Sequence, residues 1–335
     1  MSHPEQPSGG GSVDTIAEPP MTNSSSNLSE FAAQHGLTKS AARPALGKYF
    51  REVWQRRNFI WAFASAKNIS MYTESRLGQV WQLLTPLLNA GVYYLIFGLL
   101  LNASRLGKDV NFLPWLVAGV FLFGFTQRSI NAGSRSVGDN LSLIRALHFP
   151  RATLPLAYAV VELQQLVLSL GVLFLIVLSF GETPDAHWLL LLPVVVMQLM
   201  FNVGISLMMA RIGAFNRDFT QLLPFLLRTW FYFSGVIYSV VSLKNSSGLR
   251  SHPWIGQLLE ANPGYVYVEL ARRSLLPDYR KYVHAPEHLV HGKNVGGLAE
   301  GSGAHLWFYA LGWALALLIG GFMWFHRAEE RYGRG

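Results

Sequence analysis

The side chains that could carry chemistry are few and scattered. The chain has ten His, 19 Asp plus Glu and no Cys. Without thiols there is no disulfide, thiolate zinc site, iron–sulfur cluster or cysteine nucleophile to build. His284, His288 and His291 follow i, i+4, i+7 spacing with Glu287 between them, a pattern a zinc site can use. The order His-Glu-x-x-His is missing, however, and Pro286 interrupts the helix that would align the rings, so a solvated loop is expected and no metal. No Gly-x-x-x-x-Gly-Lys-[Ser/Thr] occurs; Gly47-Lys48 and Gly107-Lys108 lack the upstream Gly. Nucleotide phosphates therefore find no cradle on this chain. Neither catalytic residues nor a bound cofactor is expected, and the chain does not read as an enzyme.

What remains is charge in apolar surroundings, and rings. Glu162 and Arg228 each interrupt a long apolar run. Ionised groups in such runs face a protein interior and find partners, so Glu162 is expected to pair with Arg228 or with Arg128. A structural ion pair is the expectation; a proton relay normally needs more than one buried acid, and Glu162 stands alone. Aromatic residues crowd two runs: Trp115, Phe121, Phe123 and Phe125 in one, Trp230, Phe231, Tyr232, Phe233 and Tyr238 in another. Rings facing a cavity stack on the apolar faces of sugars, although packing and an interfacial belt are the commoner uses.

The elements that hold these residues follow from composition. Of 335 residues 51% are hydrophobic and only 14% charged, against about 25% charged in an ordinary globular chain. Mean hydropathy is +0.26. A bilayer-spanning helix needs about 20 apolar residues, and six runs qualify: about 79–101, 110–130, 152–181, 188–210, 219–243 and 306–325. An all-α integral membrane protein with six transmembrane helices is expected. Pro86, Pro155, Pro193 and Pro224 fall inside runs and are expected to act as packing kinks. Of the 27 Lys and Arg, eighteen fall on the side that holds both termini, which predicts a multi-pass protein of the cytoplasmic membrane with both termini cytoplasmic. The basic excess is thus topological, and nucleic acid is not an expected partner.

Residues 1–45 are rich in Ser, Gly, Pro and Asn and read as a disordered cytoplasmic tail. No cleavable signal peptide is apparent. Within 49–70, Phe50, Val53, Trp54, Ile60, Trp61 and Phe63 share a broad helical face opposite Arg51, Arg56 and Arg57. That pattern predicts an N-terminal amphipathic interfacial helix. Segment 244–304 is too polar to span, but Trp254–Leu259 and Tyr265–Leu276, divided by Asn262-Pro263-Gly264, predict an external re-entrant helical segment between spans five and six. Residues 46–330 thus form one six-span domain, with 331–335 a short cytoplasmic tail.

Several motifs point further. The run from Arg76 through Leu77, Gly78 and Trp81 to Pro86 resembles the start of the first span in permease subunits of ABC transporters that export polysaccharides, O-antigen, teichoic acids or galactan. Asn140–Pro155, with Leu143-Ile144, Phe149-Pro150-Arg151 and Leu154-Pro155, is similar to that family's cytoplasmic loop. Asn216-Arg217-Asp218, and Asn262-Pro263 followed by Glu269 and Arg272, resemble two more of its segments. The likeness covers about 48–330. It implies a homodimer of this chain within a four-subunit complex, a soluble ATP-binding subunit carrying the ATP and Mg, and a lipid-linked glycan as cargo. Under it, Arg145, His148 and Arg151 would dock the ATPase. Arg56, Arg57 and Arg76 would meet a pyrophosphate headgroup, and Phe125, Tyr232 and Tyr238 would lie along the substrate path. The alternatives are a permease of the same architecture for a drug or another lipid, and a membrane-embedded enzyme or carrier acting on lipid-linked sugars.

Overall fold

The computed structural model describes residues 45–332 except 74–75, 79, 101–109, 148, 245–252 and 285–302. The expected tail before residue 45, His148 and the side chains of His284, His288 and His291 lie outside the described residues. Among the described residues all regular structure is helical.

The amphipathic segment forms two helices, α1 (Leu46–Gln55) and α2 (Arg57–Ser70), which meet at Arg56, whose φ of −88° and ψ of 12° leave the helical region. The expected single apolar face divides in two. Tyr49, Val53, Ile60 and Ala64 are buried against the protein, whereas Phe50, Trp54 and Trp61 are about 60% exposed. Helices need such an inward stripe to dock, and an outward one only where an apolar medium receives it.

Helix α3 (Val80–Tyr93) runs on as a π-helical stretch, Tyr94–Leu100. Helix α4 (Phe112–Arg135) is the most enclosed of the long apolar helices, with Trp115, Leu116, Leu122 and Phe125 at zero exposure. A short α5 (Leu141–Ala146) precedes Pro150, as expected where Pro150 disfavours helix in the residue before it. Helices α6 (Thr153–Ser179) and α7 (Leu191–Phe215) follow. Pro155 and Pro193 fall in their first turns, where an absent N–H costs nothing, so of the expected kinks only Pro86 and Pro224 lie inside helices. The last long helix is α13 (Ala304–His326). With α3 and its extension, α4, α6, α7 with its leading turn, and α13, five helices are long and apolar enough to cross a membrane. Helix α4 is central, touching α3, α6, α7 and α8 (Arg217–Phe233), and α7 lies along α13. Gly204 and Gly321 face each other there so closely that a side chain on either would enter backbone of the other helix.

The expected fifth span, 219–243, is not one continuous helix. Asn216 caps α8, its side chain accepting the Phe219 N–H at 3.2 Å. The helix then has 17 residues, about 25 Å at 1.5 Å per residue. It stops at Phe233 because Gly235 takes a left-handed φ of +61° and because the carbonyls that follow are claimed by one arginine. Arg272 is fully buried. Its Nε donates to the Trp115 carbonyl at 3.0 Å, Nη1 to Gly235 at 2.9 Å and Nη2 to Val236 at 2.6 Å, and its guanidinium lies 3.4 Å above the Trp115 ring. The two carbonyls freed by the irregular turn, Gly235 and Val236, are thereby satisfied, and the bond to Trp115 ties the turn to α4. A short α9 (Val240–Lys244) continues the chain.

The two patches expected as half-helices are α10 (Pro253–Ala261) and α11 (Pro263–Leu275), followed by α12 (Pro277–His284). Asn262 joins the first two. Its Oδ1 accepts from the Gly264 N–H and the Trp230 indole, and its Nδ2 donates to the Phe233 carbonyl. Helix α11 is buried along its whole length beside α4, α7 and α13, which fits a segment that doubles back into the bundle. Its Glu269 accepts from Arg273 and from the Tyr279 hydroxyl.

Candidate functional site

A cavity of about 330 Å³ lies among α3, α4, α6 and α8. Helix α3 presents Trp81, Gln82, Thr85, Asn89 and Tyr93 to it, α4 presents Gly124, Gln127 and Arg128, α6 presents Gln165, and α8 presents Arg228 and Phe231. Gln82, Thr85 and Asn89 fall at i, i+3 and i+7, one polar stripe on an apolar helix. The volume is at the lower end of ligand sites, and the lining of rings with convergent polar groups is typical of them.

The electrostatics rest on one ion pair and one further cation. Arg128 Nε donates to Glu162 Oε2 at 2.8 Å. The carboxylate side chain is 8% exposed and the guanidinium 32%. Of the two expected partners of Glu162, the structure selects Arg128. Arg228 is exposed to the cavity and has no ion-pair partner among the described residues. The cavity therefore carries an excess of one positive charge beside amides and rings, and a phosphoryl group or other anion suits it. Glu162 is nine residues into α6, about 14 Å along its axis, so the cavity lies in the half of the bundle nearer α1 and α2.

Arg228 is thus the one expected site residue among the cavity-lining side chains, with Glu162 tied to it through Arg128. Phe125 is fully buried in the core, Tyr238 packs beside that core, and Tyr232 is 45% exposed at the end of α8; none of the three lines the cavity. Arg56, Arg57 and Arg76 are exposed outside it, with Arg57 placed 6.0 Å over the Trp54 ring. Gln82, Asn89, Gln127 and Gln165 escaped the sequence reading. The feature that could have found them is an amide inside an otherwise apolar span, repeated at helical spacing.

At the end of the bundle holding α1, the loop between α4 and α6 meets the segment after α13. Ala152 N–H donates to the Tyr49 hydroxyl at 3.1 Å, and that hydroxyl donates to Glu329 Oε2 at 2.7 Å. Arg151 N–H donates to Glu329 Oε1 at 3.0 Å. Burial pushes the Glu329 carboxyl above its ordinary range, against the lowering effect of those two donors. Arg151 thus touches the body of the protein through its backbone, while Arg145 stands exposed on α5. The opposite end is tied by Asp185, which pairs with Arg280 and with His187.

Comparison with known proteins agrees with this architecture. Residues 58–276 match the family model described as ABC-2 type transporter. The chain is 27% identical over 197 residues to the O-antigen export system permease protein RfbA of Myxococcus xanthus, a match covering 59% of this chain and 74% of that protein. Two proteins of the same name from Klebsiella pneumoniae are 26% identical over 169 residues, 50% of this chain and 64% of theirs. The chain thus spans a little under two thirds of the length of those two relatives. With more than half of its residues inside the family match, and with five apolar helices able to cross a membrane, this chain belongs to the ABC-2 type transporter family of multi-pass membrane proteins.

Proposed function

We propose that this chain is the membrane-spanning permease subunit of an ATP-driven exporter whose cargo is a polysaccharide carried on a lipid. The observation that carries the reading is the cavity among α3, α4, α6 and α8, which combines two arginines, several amides and the rings of Trp81 and Tyr93. Rings and amides suit sugar faces and hydroxyls, and the unpaired guanidinium suits a phosphoryl link between sugar and lipid. The relatives' names speak of O-antigen export, and none of them speaks of teichoic acid, so the cargo proposed is a polysaccharide.

On this reading α8 is the fifth of six spans, both termini are cytoplasmic, and the cavity opens in the cytoplasmic half, where cargo is made. A separate soluble ATPase subunit holds ATP and Mg and docks on the loop that carries Arg145, His148 and Arg151. That loop is anchored through Arg151 and Ala152 to Tyr49 and Glu329, so a displacement there would reach α1, α6 and the end of α13 together. Helices α3 and α8 flank the cavity and turn exposed Leu88, Val92, Leu222 and Phe225 outward. A second copy of the chain meeting these faces would complete a channel.

The test is export in cells lacking the chromosomal copy. Wild type should restore surface polysaccharide, and Arg228→Ala, which breaks no ion pair among the described residues, should insert normally yet lower export at least fivefold. Arg145→Glu should uncouple ATP hydrolysis from export more than Arg43→Glu does. Unchanged surface polysaccharide in cells without the chain, or ATP turnover by the purified chain freed of every partner, would sink the proposal.

A further inference from the structure

One chain of amides runs from the cavity to α2. Gln82 on α3 is 5% exposed and lines the cavity. Its Nε2 donates to Asn68 Oδ1 at 2.9 Å, Asn68 Nδ2 donates to Gln164 Oε1 at 3.2 Å, and Gln164 Nε2 donates to Ser65 Oγ at 3.1 Å. Ser65 and Asn68 belong to α2 and Gln164 to α6. Every link runs in the same sense, and the amide oxygen left unmatched is Gln82 Oε1, enclosed and without a partner among the described residues. Buried amides are normally matched, and here the unmatched atom belongs to the residue on the cavity.

The chemistry of the missing partner follows from the relay. If all three amides turn over together and the Ser65 hydroxyl donates, the same three hydrogen bonds persist with opposite polarity. Gln82 then offers an N–H in place of an oxygen. In the observed polarity Gln82 Oε1 needs a donor, which a hydroxyl supplies and an ionised phosphate oxygen, an acceptor alone, does not. We propose that Gln82 is a specificity-determining residue that binds a sugar hydroxyl in the cavity, and that Asn68 and Gln164 are positioning residues through which its occupancy is transmitted to α2. A hydroxyl donating to Gln82 Oε1 holds the observed polarity of the relay over its reverse, and with it the seat of α2 against α3 and α6. This rests on the reading of the cavity as a glycan path.

The chain lacks Cys, so a fluorophore on Ala62→Cys, an exposed position of α2, reports that helix alone. The probe is radiolabelled n-octyl β-D-glucoside below its micellar concentration, added to full-length protein in lipid nanodiscs, with n-octyl phosphate as the anionic control. Thr85→Trp, which fills the cavity, should abolish glucoside binding. Gln82→Leu should weaken it about three- to tenfold, the worth of one hydrogen bond, and leave octyl phosphate binding within twofold of wild type. Asn68→Leu should keep glucoside affinity within about threefold but lose the fluorescence change. Gln164→Met cuts the next link and serves if Asn68→Leu fails to fold. Equal glucoside affinity in wild type and Gln82→Leu, or a fluorescence change that survives both cuts, would overturn the relay with the glycan cavity intact. Glucoside that does not bind, or binds despite Thr85→Trp, would overturn the cavity reading and the relay with it.

Discussion

The ion pair between Arg128 and Glu162 offers the sharpest energetic test. Glu162→Gln and Arg128→Gln each remove one charge, and the double variant removes both while leaving two amides able to bond each other. The 2.8 Å contact is a charge-assisted hydrogen bond between a carboxylate 8% exposed and a guanidinium 32% exposed. Hydrogen bonds to charged groups contribute about 1.5–3 kcal/mol, and breaking a fully enclosed pair costs about 3–5 kcal/mol. Arg128 faces the cavity, where water reaches it, so the coupling belongs at the lower end, about 1.5–3 kcal/mol. Each single variant should therefore lose more stability than half of the double variant's loss, and the cycle should close only with a favourable coupling of that size. Unfolding of the four proteins in one detergent, followed by loss of helical signal, measures it, and Glu162→Gln should retain part of its transport. A coupling under about 0.5 kcal/mol would refute the structural reading of the pair. So would a Glu162→Gln protein of wild-type stability that exports nothing while wild-type export depends on a pH gradient, since that pattern makes Glu162 a proton relay.

Three further outcomes are expected. Single cysteines at Ser142 and at Thr183, both exposed and at opposite ends of the bundle, should differ in intact cells: Thr183→Cys labels from outside and Ser142→Cys only after lysis, and the reverse would invert the topology. Gly321→Leu drives a side chain into the backbone of α7 at Gly204, so overpacking should cost at least about 1–3 kcal/mol; a melting temperature equal to wild type would show that the crossing can open. The Asp185 carboxyl is raised by its partial burial but lowered more by the hydrogen bond and charge of Arg280, with help from His187, so it ends below its ordinary range. Its contribution is present above about pH 4 and lost as pH falls through the lowered value. Asp185→Asn should flatten stability between pH 4 and 2.5 by less than about 1 kcal/mol, since the pair is near the surface, and an unchanged acid profile would count against the pair.

Length and apolar character of segments were legible in the sequence because a bilayer selects for both one segment at a time. The long helices therefore fall close to where hydropathy puts them, and α5, α10 and α11 follow from Pro150 and Asn262-Pro263, which act locally on φ and on missing donors. The motif around Arg272 was visible as a likeness, but its physical task was not. The run 219–243 carries Arg228 as its one charge and no break in apolar character near Phe233, and only the carbonyls that Arg272 collects from Trp115, Gly235 and Val236 show why it breaks there. Likewise Glu162 lies 34 residues from Arg128 and 66 from Arg228, and spacing along the chain cannot choose between them. That choice depends on how α4, α6 and α8 are rotated about their axes. In helices apolar on nearly every face, hydropathy does not set that rotation; close packing does, through contacts such as Gly204 against Gly321. For the same reason Phe125 turned inward while Gln82 and Asn89 of α3, Gln127 of α4 and Gln165 of α6 came together around one cavity from three separate helices.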